Sequence, residues 1–289
     1  MTNWFDIRDP ADPRLDELAA KYNLHPLHIE DCRHRNQNAK IEPQDGYLFI
    51  VLKPVEVDDE CIITAGDLDL FLGPDFLITV QETACPSVAD MLERVHRTSN
   101  SQPADQILYR IVDGLVDSYY PILDKVSDDI DELEDSALTS PQPEMLQRLF
   151  ELRRGLIQFR RIMANSRDVM SHLLRNAYPQ ISPGLMPFLR DVYDHIARNL
   201  DTIEIQRDLL TGAMELYLSA VANQTNQTMK VLTVFGTIAT PALVITGLYG
   251  MNLKHLPFQD HPHSWGIVIS MILGVSALML LVFRKLRWL

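Results

Sequence analysis

The chain has 289 residues, 46% hydrophobic and 22% charged, with 26 Lys+Arg against 39 Asp+Glu for a formal net charge of -13. That length holds one large or two small domains, and so acidic a balance argues against nucleic acid and for cations as partners. Cys32, Cys61 and Cys85 are an odd number without metal-site spacing, and read as reduced thiols in a packed domain.

Residues 1 to 103 read as a small cytoplasmic α/β domain. "YLFIVLKPVEV" (Tyr47 to Val57) and "DLDLFLGPDFLITVQ" (Asp67 to Gln81) have strand character, with a hairpin turn at Gly73-Pro74-Asp75. "PADPRLDELAAKYN" and "SVADMLERVHR" read as helices. No nucleophile with a base, phosphate-binding glycine loop or ligand cluster stands out in this stretch, so the reading is not that of an enzyme.

Residues 104 to 180 read as a helical hairpin broken at "SPQP" (Ser140 to Pro143). Its first arm carries Asp128, Asp129, Asp131, Glu132, Glu134 and Asp135; its second carries Arg148, Arg153, Arg154, Arg160, Arg161 and Arg167. Complementary faces account for both sets, and surplus carboxylates also suit hard divalent cations, which prefer oxygen ligands.

After "YPQISPGLMP", with Pro187 suited to a first helical turn, residues 181 to 228 read as a stalk helix that continues into the apolar stretch beyond. Leu189, Val192, Ile196, Ile203 and Leu210 recur at helical spacing. From Phe188 to Leu248 such a helix spans roughly 90 Å, and its sustained spacing predicts association with copies of itself.

Met229 to Leu248 and Trp265 to Phe283 are apolar runs with Lys230 as their one charge, each matching the ~20 residues that cross a ~30 Å hydrocarbon core. The spans are taken as 229 to 250 and 265 to 283, with an external loop at 251 to 264 and a basic tail at 284 to 289. No apolar leader precedes Trp4, and Arg284, Lys285 and Arg287 outweigh Lys254, so both termini are expected in the cytoplasm.

Along the first span, Asn226, Met229, Thr233, Gly236, Thr240, Leu243, Gly247 and Gly250 repeat at three and four residues and are mostly small or polar. Such a stripe permits close helix packing or lines a water-filled path; Glu215, Asn223, Gln224 and Asn226 on the approach favour the path. Pro241 predicts a kink or a freed carbonyl in mid-membrane. Two spans cannot enclose a channel, so the path requires an oligomer.

"YGMN" (Tyr249 to Asn252) follows the first span, "MKVLT" opens it, and the long stalk, basic C-terminus and "DLDLFLGPDFLITV" accompany them. Together these resemble the CorA family of divalent metal transporters over essentially the whole chain. The resemblance implies an α+β cytoplasmic domain joined by a very long stalk helix to a two-span α-helical membrane domain, in a funnel-shaped homopentamer. Its place is the bilayer of a bacterial-type inner or plasma membrane.

The same resemblance makes Gly250, Met251 and Asn252 the selectivity mouth, where Asn oxygens and Gly carbonyls hold the first water shell of a hydrated ion. Gly250 leaves the backbone there free to bend. Asn226 becomes a polar ring, Met229 and Leu232 a hydrophobic constriction, Gly247 a ring below the mouth, Glu215 the cytoplasmic exit, and Asp191 a regulatory metal position between subunits. Mg²⁺ is the expected cargo and regulator, with Co²⁺ and Ni²⁺ as further ions.

Departures sit at Thr240 and Leu243, which move the mid-pore polar ring by a turn, and in "LKHLPFQDHPHSW", which matches neither the acidic magnesium loop nor the glycine-rich loop of the ZntB branch. His255, His261 and His263 in that loop keep a Zn²⁺ transporter as the alternative. A membrane-anchored sensor or scaffold without transport is the rival from another class.

Overall fold

The computed structural model describes residues 2–34, 37–58, 62–97, 102–251, 256–258 and 261–286. They form two units, residues 1–217 and 218–289.

In the first unit, β1 (Asn3–Ile7), β2 (Lys40–Gln44), β3 (Tyr47–Leu52), β6 (Leu68–Leu72) and β7 (Phe76–Gln81) form one sheet in the order β1-β7-β6-β3-β2. β7 pairs parallel with β1 and antiparallel with β6. β3, β6 and β7 are buried along their whole length, which explains their unbroken apolar runs. Alternate side chains face opposite layers. Phe49, Val51, Phe71, Ile78 and Val80 join Leu15, Leu18 and Ile29 of helices α1 (Arg14–Tyr22) and α2 (Pro26–Arg33) in one core cluster.

The hairpin expected at Gly73-Pro74-Asp75 is present, and Gly73 N–H bonds the Phe76 carbonyl at 2.9 Å. The strand expected over Tyr47 to Val57 is broken instead. Lys53 turns inward to pair with Asp67, both nearly inaccessible, and β4 (Val55–Val57) leaves the main sheet to pair with β5 (Ile63–Ala65). Burying a lysine demands a carboxylate partner, and Pro54 offers no N–H to continue the ladder. Cys32 and Cys85 are buried free thiols, and burial pushes the Cys32 thiol up; Cys61 lies outside the described residues.

α3 (Pro86–Arg97) precedes a helical region that interrupts its first expected arm: α4 (Ala104–Asp117) gives way to α5 (Tyr119–Thr139) at Ser118. α6 (Pro143–Arg175) begins on the last residue of "SPQP", with Pro143 in its first turn. The charge complementarity of α5 and α6 narrows to Arg148, whose guanidinium holds the buried Asp129 carboxylate at 2.6–3.1 Å. Arg160 pairs with Glu204 of the long helix that follows, and Arg161 bonds Asn38. The bulk of the acidic and basic sets therefore does not meet face to face, because α6 also packs against β2 and β5.

α7 (Met186–Gly250) is one helix of 65 residues. Leu189, Val192, Ile196, Ile203 and Leu210 are all at most 1% exposed, as their spacing requires of a core-facing stripe. In the second unit, α7 from Leu218 packs with α8 (Ser264–Lys285), and α8 buries none of its residues. Phe235 is 73% exposed, Val231 71% and Leu281 66%. Apolar surface this extensive is unstable in water and fits a bilayer and neighbouring helices; both helices have the length and hydropathy to cross one.

Candidate ion pathway and metal site

α8 selects which face of α7 remains open. Val234 and Pro241 are buried and Thr237, Ile238 and Ile245 half-buried on the covered side, whereas Asn226, Met229, Leu232, Thr233, Gly236, Thr240, Leu243, Gly247 and Gly250 are all exposed. The small-polar stripe thus lies away from α8, available to whatever adjoins the chain.

Thr233 donates its hydroxyl hydrogen to the Met229 carbonyl at 2.8 Å, and Thr240 does the same to Gly236 at 2.7 Å. With their hydrogens used on the helix itself, these hydroxyls turn oxygen lone pairs outward. Pro241 lacks the N–H that the Thr237 carbonyl would take, and Ser276 of α8 donates to the adjacent Ile238 carbonyl at 3.4 Å. The hydroxyl thus reaches the carbonyl next to the freed one, and the Thr237 carbonyl is the backbone acceptor that Pro241 leaves without its helical donor.

Gly250 is the last residue of α7, and Met251 N–H bonds the Leu248 carbonyl at 3.3 Å. Gly250 itself keeps a negative φ, and among the described residues the glycine with positive φ is Gly46. A Cβ at 236, 247 or 250 would meet no atom of this chain within 4 Å. Asn252, His255, Lys254 and Asp260 lie outside the described residues. Beyond them, the Tyr249 hydroxyl donates to the Pro257 carbonyl at 2.7 Å. His261 and His263 are exposed with ring centroids 6.0 Å apart, and His261 Nδ1 accepts the His263 backbone N–H at 3.1 Å.

Glu215 is exposed on α7, as is Asp191. Asp191 has a partner set that the sequence reading missed. His195, one turn on, places Nε2 3.6 Å from Asp191 and Nδ1 3.6 Å from Asp117 of α4. Asp113, Asp117 and His195 bring ligand atoms within 4.8 Å of one another, the one such group of three among the described residues. Burial raises the Asp113 carboxyl above its ordinary range, with the Asp117 charge adding to the effect and the Tyr109 hydroxyl bond at 3.3 Å opposing it. The signal was present as two i, i+4 pairs, Asp113/Asp117 and Asp191/His195, each of which puts both side chains on one helix face. By contrast, residues 128 to 135 hold no such group among the described residues.

The family described as CorA-like Mg2+ transporter protein matches residues 1–285. The chain belongs to the CorA family. Among relatives of this CorA chain, the cobalt/magnesium transport protein CorA of Thermotoga maritima is 35% identical over 93% of the chain and 78% of its own length. The complete CorA magnesium transporter of Methanocaldococcus jannaschii superposes with a TM-score of 0.87 at 25% identity, covering 99% of this CorA chain and 91% of its own. The ZntB cytoplasmic domain from Vibrio parahaemolyticus shares the fold over 77% of the chain and 89% of its own, with a TM-score of 0.63 at 12% identity. The expected α/β domain, long helix and two apolar C-terminal helices of the CorA fold are borne out.

Proposed function

We propose that the chain is a Mg²⁺-preferring cation channel of an inner or plasma membrane, formed by five copies with both termini in the cytoplasm, and that Co²⁺ also passes. The observation that carries this reading is the stripe from Asn226 to Gly250, left open by α8 and bearing outward hydroxyl lone pairs. An anchor that only tethers a sensor or scaffold needs no such face. The names of the Thermotoga and Methanocaldococcus relatives support the choice of ion.

Mg²⁺ dehydrates reluctantly, so an uncharged path lined by acceptors passes the ion with its waters. Gly250, Met251 and Asn252 form the outer mouth, Met229 and Leu232 the constriction, and Glu215 the inner exit. At the glycines, side chains are absent where this chain leaves room for them; the space belongs to the path or to a neighbouring copy. Asp191, 62% exposed beside His195, Asp117 and Asp113, completes a carboxylate group whose mutual repulsion a cytoplasmic Mg²⁺ relieves, holding the channel closed until the ion is depleted.

Purified protein in liposomes, assayed for Mg²⁺ and Zn²⁺ uptake side by side, tests the reading. Mg²⁺ flux should dominate, and Asn252→Ala should abolish its selectivity. Zn²⁺ flux far above Mg²⁺ flux, lost on replacing His255, His261 and His263, would establish the zinc alternative instead.

A further inference from the structure

Helix α2 starts on two imidazoles. His25 is its N-cap, and its Nδ1 accepts the Leu27 N–H at 3.2 Å, a task more often done by a hydroxyl or carboxylate oxygen. Three residues on, His28 is 5% exposed, its ring stacked on Phe49 of β3 with centroids 4.3 Å apart. His28 Nε2 lies 3.0 Å from a Glu42 oxygen of β2, and Nδ1 lies 2.8 Å from the Tyr47 hydroxyl of β3. That hydroxyl oxygen also accepts the His25 N–H at 2.9 Å.

These contacts fix the hydrogens. Lys40, bonded to Glu42 at 2.7 Å, holds its carboxyl below the ordinary range; an ionised carboxylate only accepts, so Nε2 carries the ring hydrogen. Nδ1 is then bare, and the buried Tyr47 hydroxyl donates its single hydrogen there. Both imidazoles therefore work as acceptors through Nδ1. A proton on His25 cancels the cap. A proton on His28 turns Nδ1 into a donor and leaves the Tyr47 hydrogen without another acceptor among the described residues, which is costly for a buried group. With the rings 5.5 Å apart, each charge also opposes the other.

We infer that His25 and His28 form a proton-binding site that releases α2 from the sheet on acidification. The charged groups facing the pair are Glu42 and Lys40 of β2, with Asp31 of α2 bonded to Lys40 at 2.7 Å. Burial draws the His28 ring down, Glu42 opposes this, and His25 and Lys40 add to it. The folded ring thus stays neutral where the opened one takes a proton, and the stability present above the ordinary histidine range is lost as pH falls below it. Cys32 of α2 bonds Asp69 of β6, whose carboxyl, pushed up to about 7 by burial, responds with the opposite sign and steadies the fold as pH falls. Asp69→Asn removes that opposing response.

Hydrogen–deuterium exchange of residues 27–33, in full-length protein in detergent, compares Asp69→Asn with Asp69→Asn/His25→Asn/His28→Asn. Asparagine keeps an acceptor oxygen near each Nδ1 position and cannot titrate, and comparison at equal pH cancels the chemistry of exchange itself. The exchange rate with both histidines present, relative to the triple variant, should rise about tenfold from pH 7 to pH 5, within the limit of about tenfold per pH unit for each proton. The same ratio in α6 should stay constant. A constant ratio in α2, or an equal rise in α6, overturns the inference. Nitrogen-15 spectra of histidine-labelled Asp69→Asn, with His28 assigned through its ring contact with Phe49, test the site even where the triple variant fails to fold. They should show a neutral His28 with its hydrogen on Nε2 at pH 7; a hydrogen on Nδ1 there overturns the inference as well.

Discussion

Replacing Asp113 by Asn removes one charge from the carboxylate group beside His195 while keeping its shape and an acceptor for the Tyr109 hydroxyl. Two unit charges at the 4.8 Å limit of this group repel by roughly 0.9 kcal/mol in water-like surroundings and about 3.5 kcal/mol at an effective dielectric of 20. The Asp117 side chain is 57% exposed, so solvent screening governs and the relief is about 1 kcal/mol. The metal-free variant should therefore melt about 2–4 °C above wild type, measured on full-length protein in detergent at pH 7. Wild type should gain about 1.4–2.7 kcal/mol as Mg²⁺ rises from ten to a hundred times its dissociation constant, and the variant much less. The Asp113 carboxyl is raised by burial, so its ionised form opposes folding. Repulsion and Mg²⁺ response both grow as pH climbs through that raised value and disappear below it. Equal metal-free midpoints and equal Mg²⁺ shifts in the two proteins would refute the electrostatic account.

Asp69, buried in β6 and pushed up to about 7 by burial, should make Asp69→Asn increasingly stabilising from about pH 4 to above pH 7, reaching roughly 4 kcal/mol at full ionisation; denaturant midpoints across that range check it, and a pH-independent difference contradicts it. Thr240→Val removes an outward oxygen while keeping shape, and liposome Mg²⁺ flux should drop about three- to tenfold, with stability changed by less than about 1 kcal/mol; undiminished flux would remove the hydroxyl from the pathway. Arg148→Ala leaves the Asp129 carboxylate, 10% exposed, without its bidentate partner, and thermal unfolding should show a loss of about 3 kcal/mol. Restoration by Asp129→Leu in the same background is expected to recover most of it.

The elements legible in the sequence were those whose patterns are set by solvent. The α7 core stripe from Leu189 to Leu210, the two apolar runs and the Gly73-Pro74-Asp75 turn each carry a periodicity or a backbone requirement within a few residues. β1 was missed because "NWFDI" gains its stability from parallel pairing with β7, 73 residues away, and short parallel edges have little local signature. Lys53 was read as an ordinary strand residue because its burial depends on Asp67, a partner that no periodicity names. The metal group divided in the same manner. Asp191 stood out through the family resemblance, but Asp113, Asp117 and His195 acquire meaning only when α4 and α7 lie side by side. Gly250 ends a regular helix, and a side chain there would meet no atom of this chain.

Because Thr233 and Thr240 commit their hydrogens to the carbonyls one turn back, the surface they offer accepts hydrogen bonds without being able to donate. Five such surfaces facing one axis would discriminate by sign with no formal charge present. Anions find no donor there, while an ion with polarised waters is held by bonds weak enough to exchange rapidly. Short residence at each such ring would let selectivity coexist with throughput, and in the proposed pore it would follow from where two hydrogens point.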